Sequence, residues 1–310
     1  MSAMRMLIRR ELWEHRAISL VPLAFGALFI AVNLLAALGV VKVHIDAGGL
    51  GFSEMLQSLD AHKAGALTQL GMALIAVSLN TVMLLVTVFY LLDCLYAERK
   101  DRSNLFWKSL PVSDLEVVGS KLLTAALVIP LVTLVIFTAV ALCMYAITGI
   151  TMLFSGTGLF LSAGPLALAE VALTHVYALA VQSLWYLPIF AWLLLVSAWS
   201  KRAVLLWAIL PPVAVQAAEG LLLGTTRFAE LIKERLVGVY PLAFADDSHQ
   251  QLHWQYEGEH ADVDLEFADG LLALVDPGSL IGSPGLWGGL MVAALFFSAA
   301  VWVRRFRDAS

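Results

Sequence analysis

One short stretch of this sequence, residues 96–114, holds seven charged side chains between two long apolar runs. The stretch is YAERKDRSNLFWKSLPVSD, in which Leu105, Phe106, Trp107 and Leu110 stand beside the charges. Arginine and aromatic residues are enriched at protein–protein interfaces, and aromatic residues also favour the membrane interface. The chemistry that this pattern predicts is therefore docking, and composition leaves open whether the stretch meets a protein partner or the lipid surface.

Polar residues inside apolar runs form a second set of candidates: Asn80, His175, Gln182 and Glu219. Polar groups are costly in hydrocarbon and usually face a cavity or another helix. We consider these four as a possible substrate path. The structural alternatives are hydrogen bonding between helices for the two amides and a wet helix end for Glu219.

Patterns of catalytic or metal-binding centres are missing from the sequence. There is no G-x-x-x-x-G-K-[ST] phosphate loop, no H-E-x-x-H and no paired acidic motif inside an apolar run. His249, His253 and His260 match no tight zinc spacing, and Cys94 and Cys143 suggest neither a disulfide framework nor a metal cluster. We expect no catalytic residue, no metal site and no cofactor bound by this chain.

The composition indicates the elements that must position these residues. Apolar residues make up 60% of the chain, charged residues 14%, and the mean hydropathy is +0.84. These values are typical of a polytopic membrane protein, and each apolar run can cross about 30 Å of hydrocarbon as a helix. We predict an all-α membrane protein with six spans, at about 18–40, 70–92, 122–147, 171–198, 203–223 and 286–303.

The distribution of Lys and Arg predicts the orientation. Fourteen of the 19 basic residues fall at the N-terminus, in the connection 93–121, at 201–202 and at the C-terminus, and five fall in the other connections. By the positive-inside rule both termini and the charged stretch are cytoplasmic, in a cell inner membrane. The net charge of −5 and the absence of a groove-sized basic patch argue against nucleic acid.

Three segments outside the spans have patterns of their own. Residues 1–17 have apolar residues at helical spacing, which predicts an interfacial amphipathic helix. Residues 224–285 are acidic and long enough for a small external subdomain. In the region 94–117, Pro111 ends one helix and the S-x-x-E pattern of Ser113 restarts another at about Asp114. We also expect Pro188 to kink the fourth span and the Pro211-Pro212 pair to kink the fifth.

The segment ERKDRSNLFWKSLPVSDLEVVGSKLL, residues 98–123, resembles the link between the second and third spans of bacterial ABC-2 type transporter permeases. The Glu-Arg start, Leu-Pro-Val-Ser and Lys-Leu-Leu occur at the spacings of that family. The sequence departs from many members at Arg102-Ser103-Asn104, where they have Gly-Thr. The six-span plan, the N-terminal helix and the external segment agree with the resemblance, which makes 1–310 a single ABC-2 type transmembrane domain.

The resemblance implies a permease subunit of a bacterial ABC exporter. It would pair with a second permease subunit, the same or a related chain, and with two copies of an ABC ATPase that carry ATP and Mg. The coupling helix would seat in a cleft of the ATPase. The residues assigned to this contact are Glu98, Arg99, Asp101, Arg102, Leu105, Phe106, Trp107, Leu110, Pro111 and Ser113.

Two other functions are weighed against ATP-driven export. An ATP-independent carrier or channel would not need a stiff cytoplasmic projection with aromatic residues, and it would usually carry more charge at the bilayer midplane. A membrane-embedded enzyme would need a converging catalytic set, which the sequence lacks. The expected function is therefore the permease of an exporter, with hydrolysis on a separate chain and a substrate that the sequence does not select.

Overall fold

The computed structural model of this chain describes residues 3–38, 61–101, 112–155, 165–244, 253–257, 260–264, 272 and 275–307. Within these residues the chain is built from helices and one short hairpin. The helices are α1 (Ala3–Glu14), α2 (Ala17–Ala37), α3 (Ala61–Lys100), α4 (Asp114–Leu123), α5 (Ile129–Ser155), α6 (Pro165–Trp185), α7 (Leu187–Trp199), α8 (Val204–Leu223), α9 (Arg227–Val237), α10 (Val239–Ala243), α11 (Pro277–Gly282) and α12 (Pro284–Arg307). The strands are β1 (His253–Glu257) and β2 (His260–Asp264), paired antiparallel.

Helices that are long and apolar enough to cross a membrane confirm the polytopic plan. Among the described residues there are five, within Ala17–Ala37, Gly71–Lys100, Asp114–Ile150, Val204–Leu223 and Pro284–Phe306. A sixth results if the bent pair of α6 and α7 is one span. The predicted second and third spans are shorter than these helices, because α3 continues to Lys100 and the third span is already helical from Asp114.

The fourth predicted span is bent next to Pro188, which confirms the kink predicted there. The two parts, Leu168–Trp185 and Leu187–Trp199, meet at 51°. Pro188 lies in the first turn of α7, where it has no N–H to donate to the preceding turn. The break therefore frees backbone carbonyl groups at the end of α6, which must find other donors.

The helices pack around α7, which contacts both α3 and α12. A second close contact joins α2 to α5 at Gly26, where a Cβ atom would lie 2.8 Å from Val140 Cγ2. Glycine at this point lets the two helices approach closely, as small residues do in membrane proteins. Between α4 and α5 the residues Thr124–Val128 form a π-helical turn, so the third span runs without a break from the capped start.

The first part of residues 224–285, the segment predicted to be external, packs against the bend of the fourth span. Trp185 Nε1 donates to Arg235 O at 3.0 Å, and Tyr186 Oη donates to Leu236 O at 2.7 Å. Arg235 Nη1 and Nη2 in turn donate to Trp185 O at 3.2 Å and to Gly285 O at 2.6 Å. The guanidinium thus supplies a donor to a carbonyl group beside the helix break and joins α9 to the start of α12.

Candidate functional site

Glu98, the first residue of the predicted coupling contact, lies at the centre of a buried charge cluster. Its Oε1 is 3.2 Å from Arg10 Nη1 and 3.0 Å from Lys121 Nζ, and its Oε2 accepts from Arg304 Nη1 at 2.7 Å. The Glu98 side chain is 4% exposed and that of Lys121 is fully buried. The carboxylate is therefore surrounded by cations of its own chain, and its part in an ATPase contact stays a prediction.

Glu11 is the second carboxylate of the cluster. It accepts from Lys121 Nζ at 2.8 Å through Oε1 and from Tyr90 Oη at 2.9 Å through Oε2. Arg304 Nε also donates to Asp114 Oδ1 at 3.1 Å. We call Arg10, Glu11, Glu98, Asp114, Lys121 and Arg304 the charge cluster.

The charge cluster joins four elements at one end of the bundle: α1, the end of α3, α4 and the end of α12. Its formal charges balance, with three cations and three carboxylates. Breaking a buried ion pair by removing one partner typically costs about 3–5 kcal/mol, because the other charge is left uncompensated. The cluster therefore holds these four elements in one arrangement.

Arg99 links the end of α3 to a different neighbour, the end of α7. Its Nη2 donates to Ser200 O at 2.8 Å and also to Ser197 O. Ser197 Oγ donates to Leu92 O at 2.9 Å, a bond that joins the same two helices about two turns earlier along α3. Consecutive residues Glu98 and Arg99 thus fasten the end of α3 to two different sides of the bundle.

Helix α4 follows the connection from Asp101 to Val112, which we call the elbow, and its start has the predicted capping box. Ser113 Oγ accepts from Glu116 N at 3.2 Å, and Glu116 Oε2 accepts from Ser113 N at 2.9 Å. The two reciprocal bonds satisfy backbone donors at the start of α4 and fix the direction in which the chain enters it. The prediction that a helix begins at Asp114 is confirmed.

The other predicted coupling residues divide into two groups. Asp101 is exposed, in a turn directly after α3. The rest lie outside the described residues: Arg102, Leu105, Phe106, Trp107, Leu110 and Pro111. The described part therefore contains both ends of the elbow, eleven residue positions apart from Asp101 to Val112, and the anchors of each end.

Three of the four residues proposed for a substrate path come together at the other end of the bundle. Asn80 Nδ2 donates to Gln182 Oε1 and, at 2.7 Å, to Tyr240 Oη. The His175 ring contacts the Phe137 ring at an angle of 42°, with ring centroids 4.4 Å apart. Both His175 and Asn80 line one cavity. Burial raises the pKa of the Tyr240 hydroxyl, which keeps it protonated and able to donate.

Glu219, the fourth residue proposed for the path, lies elsewhere. It caps helix α9, accepting from Thr225 Oγ1 at 2.6 Å, Arg227 N at 2.9 Å and Phe228 N at 2.8 Å. A carboxylate at the start of a helix satisfies free backbone donors there. This placement agrees with the alternative of a wet helix end.

Several residues of the site were not predicted from sequence. Glu11, Lys121 and Arg304 were weighed only as parts of flanking charge, and Tyr240 not at all. Glu11 did carry a local signal, since it follows Leu7 by four residues and so falls on the apolar face of α1. Tyr240 gave no such signal, because its contact with Asn80 spans 160 positions.

The possible metal ligands receive no support as a group. Within the parts of the chain that the structure describes, no three His, Cys, Asp or Glu residues are placed to hold a metal ion. His253 and His260 belong to the β1–β2 hairpin, opposite Asp264 and Glu257, and His249 lies outside the described residues.

Comparison with known proteins gives one match. Residues 67–210 match the model of the ABC-2 family transporter protein. This range contains the second, third and fourth spans and the elbow. It also contains Arg99 and three residues of the charge cluster, Glu98, Asp114 and Lys121. No curated protein and no solved structure matches the chain. The matched range includes the segment on which the sequence resemblance was based, so that resemblance is confirmed. Residues 67–210, somewhat less than half of the chain, thus carry an ABC-2 transporter region, which supports a transmembrane permease of the ABC-2 type.

Proposed function

We propose that this chain is the permease subunit of an ATP-driven exporter in the bacterial inner membrane. An ABC-2 permease implies association with an ABC ATPase and with the membrane. In this proposal ATP and Mg bind to the separate ATPase, two copies of which serve the complex. The elbow docks in the ATPase, and the movement of the ATPase is transmitted to it.

The observation that carries the proposal is the anchoring of the elbow at both ends. Before the elbow, Glu98 and Arg99 fix the end of α3 to the charge cluster and to α7. After it, the Ser113 capping box fixes the start of α4, whose Asp114 and Lys121 belong to the same cluster. A displacement of the elbow therefore acts on several spans at once, whereas a flexible tether would transmit little force.

The arrangement also assigns different tasks to the predicted coupling residues. Glu98, Arg99 and Ser113 are engaged within the chain, so in this proposal they act by positioning the elbow. Direct contacts with the ATPase then fall to Asp101 and to the elbow residues Arg102, Leu105, Phe106, Trp107, Leu110 and Pro111. The aromatic and leucine side chains pack, and the charged residues set the orientation of docking.

A second permease subunit is proposed as well, either the same chain or a related one. The observation that favours it is α8, of which only 6% is buried within the chain. Gln216 is exposed on this helix among apolar residues. An amide on a membrane helix is stabilised by hydrogen bonds to another helix.

Copurification from native membranes tests the proposal. A tagged chain is purified, and the preparation is examined for an ABC ATPase and for ATP turnover. Trp107→Ala and Arg102→Ala should each remove most of the bound ATPase. Trp287→Ala and Lys233→Ala are the matched controls and should retain it, because both residues are exposed and Trp287 precedes Arg304 of the charge cluster by 17 positions along α12.

Two outcomes would contradict ATP-driven coupling. In one, no ATPase accompanies the wild-type chain. In the other, the elbow variants bind ATPase and support ATP turnover as well as the controls do. Solute flux through the purified chain alone would instead support an ATP-independent carrier or channel.

A further inference from the structure

A cavity of about 180 Å³ lies between the first halves of α3 and α6 and beneath α10. It lies far from the charge cluster, since Asn80 precedes Glu98 by 18 positions, or about 27 Å along a helix. The external segment contributes Tyr240 and Phe244 to its wall. The cavity therefore belongs to the part of the bundle that faces away from the elbow.

Unpaired polar atoms are concentrated at this cavity. Asn80 Oδ1, Thr174 Oγ1 and His175 Nε2 are buried and have no hydrogen-bond partner in the described part of the chain. All three residues line the cavity, and Asn80 and His175 are each only 5% exposed. Buried polar groups are nearly always hydrogen-bonded in folded proteins, so three unpaired atoms around one space point to a partner inside it.

Reversing the side-chain amides of Asn80 and Gln182 does not supply the missing hydrogen-bond partners. Gln182 Nε2, next to Asn80, is also buried and unpaired. Each amide has a donor end and an acceptor end, and the Asn80 and Gln182 side chains use one end of each for their mutual bond. Turning both amides over exchanges the atoms but again leaves one donor and one acceptor without a partner.

The remaining wall limits the kind of partner. Among the described residues, those that line the cavity include no Asp, Glu, Lys or Arg, and alanine side chains such as Ala76 and Ala178 form part of it. A charged ligand would lose its hydration without gaining an opposite charge. An uncharged molecule with an apolar body can fill the space and place a hydroxyl or amide group at the polar atoms.

We propose that this cavity binds a small uncharged molecule that has an apolar body and a hydroxyl or amide end. Asn80, Thr174 and His175 hold the polar end, and Ala76 and Ala178 contact the apolar body. The proposal rests on the proposed function for the role of such a molecule as cargo. Binding itself needs only the permease chain.

Fluorine NMR on the purified full-length chain in detergent micelles tests the binding. The probe is 4-fluorophenol, compared with fluorobenzene, which lacks the hydroxyl, and with 4-fluorobenzoate, which is charged. We expect saturable binding of 4-fluorophenol, binding of fluorobenzene weaker by about tenfold because one hydrogen bond is lost, and no competition by 4-fluorobenzoate.

Two variants locate the site. Ala178→Leu fills the cavity and should abolish saturable binding, while Ala180→Leu, an equal change at an exposed position of the same helix, should leave it intact. Thr174→Val removes a hydroxyl and keeps the shape, and it should weaken 4-fluorophenol by about tenfold without affecting fluorobenzene. The Thr174→Val variant still tests the site if Ala178→Leu fails to fold.

Several results would overturn the site. One is the absence of saturable binding, which would leave water as the partner of the polar atoms. The others are equal affinity for 4-fluorophenol and fluorobenzene, and equal binding of 4-fluorophenol by Ala178→Leu and Ala180→Leu. Because no ATPase is present, failure here leaves ATP coupling untouched. Loss of ATPase association in the copurification experiment would in turn leave the binding result standing.

Discussion

Individual charges of this chain form internal ion pairs and hydrogen bonds at the place where the sequence suggested contact with a partner. Glu98 and Arg99 begin the family-like segment, yet both are engaged inside the chain. Glu11 and Lys121 are among the most deeply buried side chains, 1% and 0% exposed. Burying charge is favourable only when each group is paired, so the cluster depends on all its members.

Glu98→Gln should destabilise the folded permease strongly. The change leaves the side chains of Lys121 and Arg304 close to a neutral amide, and loss of one buried partner costs about 3–5 kcal/mol. Thermal unfolding of the purified chain in micelles measures the effect. Glu14→Gln is the matched control, because Glu14 pairs with Arg10 at a surface where its side chain is 46% exposed, and such pairs contribute about 0–1 kcal/mol. Equal melting temperatures for the two variants would contradict the structural importance of the cluster.

Gly289→Ala should release Arg235 from the helix break. A Cβ atom at Gly289 would overlap the Arg235 guanidinium, so this group must leave the carbonyl oxygens of Trp185 and Gly285. The loss of these hydrogen bonds should cost about 1–3 kcal/mol, seen as a lower melting temperature. Gly288→Ala is the control, since a Cβ atom there meets nothing within 4 Å. If both alanine variants melt alike, the guanidinium contributes little at the break.

At the scale of elements, sequence patterns predicted the helix start and the helix bend, which depend on residues close together in the chain. The capping box at Ser113 and the bend at Pro188 depend on residues within one helical turn, and both were predicted correctly. The charge cluster depends on contacts across 110 to 206 positions, such as Lys121 with Glu11 and Arg304 with Glu98. Spacing along the chain carries no information about which helix ends meet, so these partners could not be assigned from sequence.

Ser113→Ala should loosen the junction between the elbow and the third span. Removal of an N-cap hydroxyl costs about 1 kcal/mol, which corresponds to roughly fivefold faster opening of the first turn of α4. Hydrogen–deuterium exchange at the amides of Leu115, Glu116 and Val117 measures this opening. Ser298→Ala is the control, because that hydroxyl bonds only within its own helix, to Ala294 O at 2.7 Å. Unchanged exchange in Ser113→Ala would show that the cap does not hold the junction.

At the scale of the whole molecule, the charge cluster bears on the number of membrane crossings. Arg10 near the N-terminus and Arg304 near the C-terminus both contact Glu98, so the two chain ends lie at the same end of the bundle. Two chain ends on the same side of a membrane require an even number of crossings. The described spans number five, or six with α6 and α7 taken together, and only six satisfies the condition. We therefore predict that the bent pair crosses the membrane, in agreement with the six apolar runs of the sequence.

Cysteine labelling with a membrane-impermeant maleimide tests this count. Three spans separate Asp101 from Lys233 if the bent pair crosses, and two if it is re-entrant. In a Cys143→Ala background, with Cys94 buried, Asp101→Cys should react only in inside-out vesicles and Lys233→Cys only in intact cells made permeable at the outer membrane. Ser298→Cys, on the lipid-facing side of α12, should react in neither. Labelling of both exposed positions from one side would make α6 and α7 a re-entrant pair, and reaction from exchanged sides would reverse the orientation that the basic residues predict.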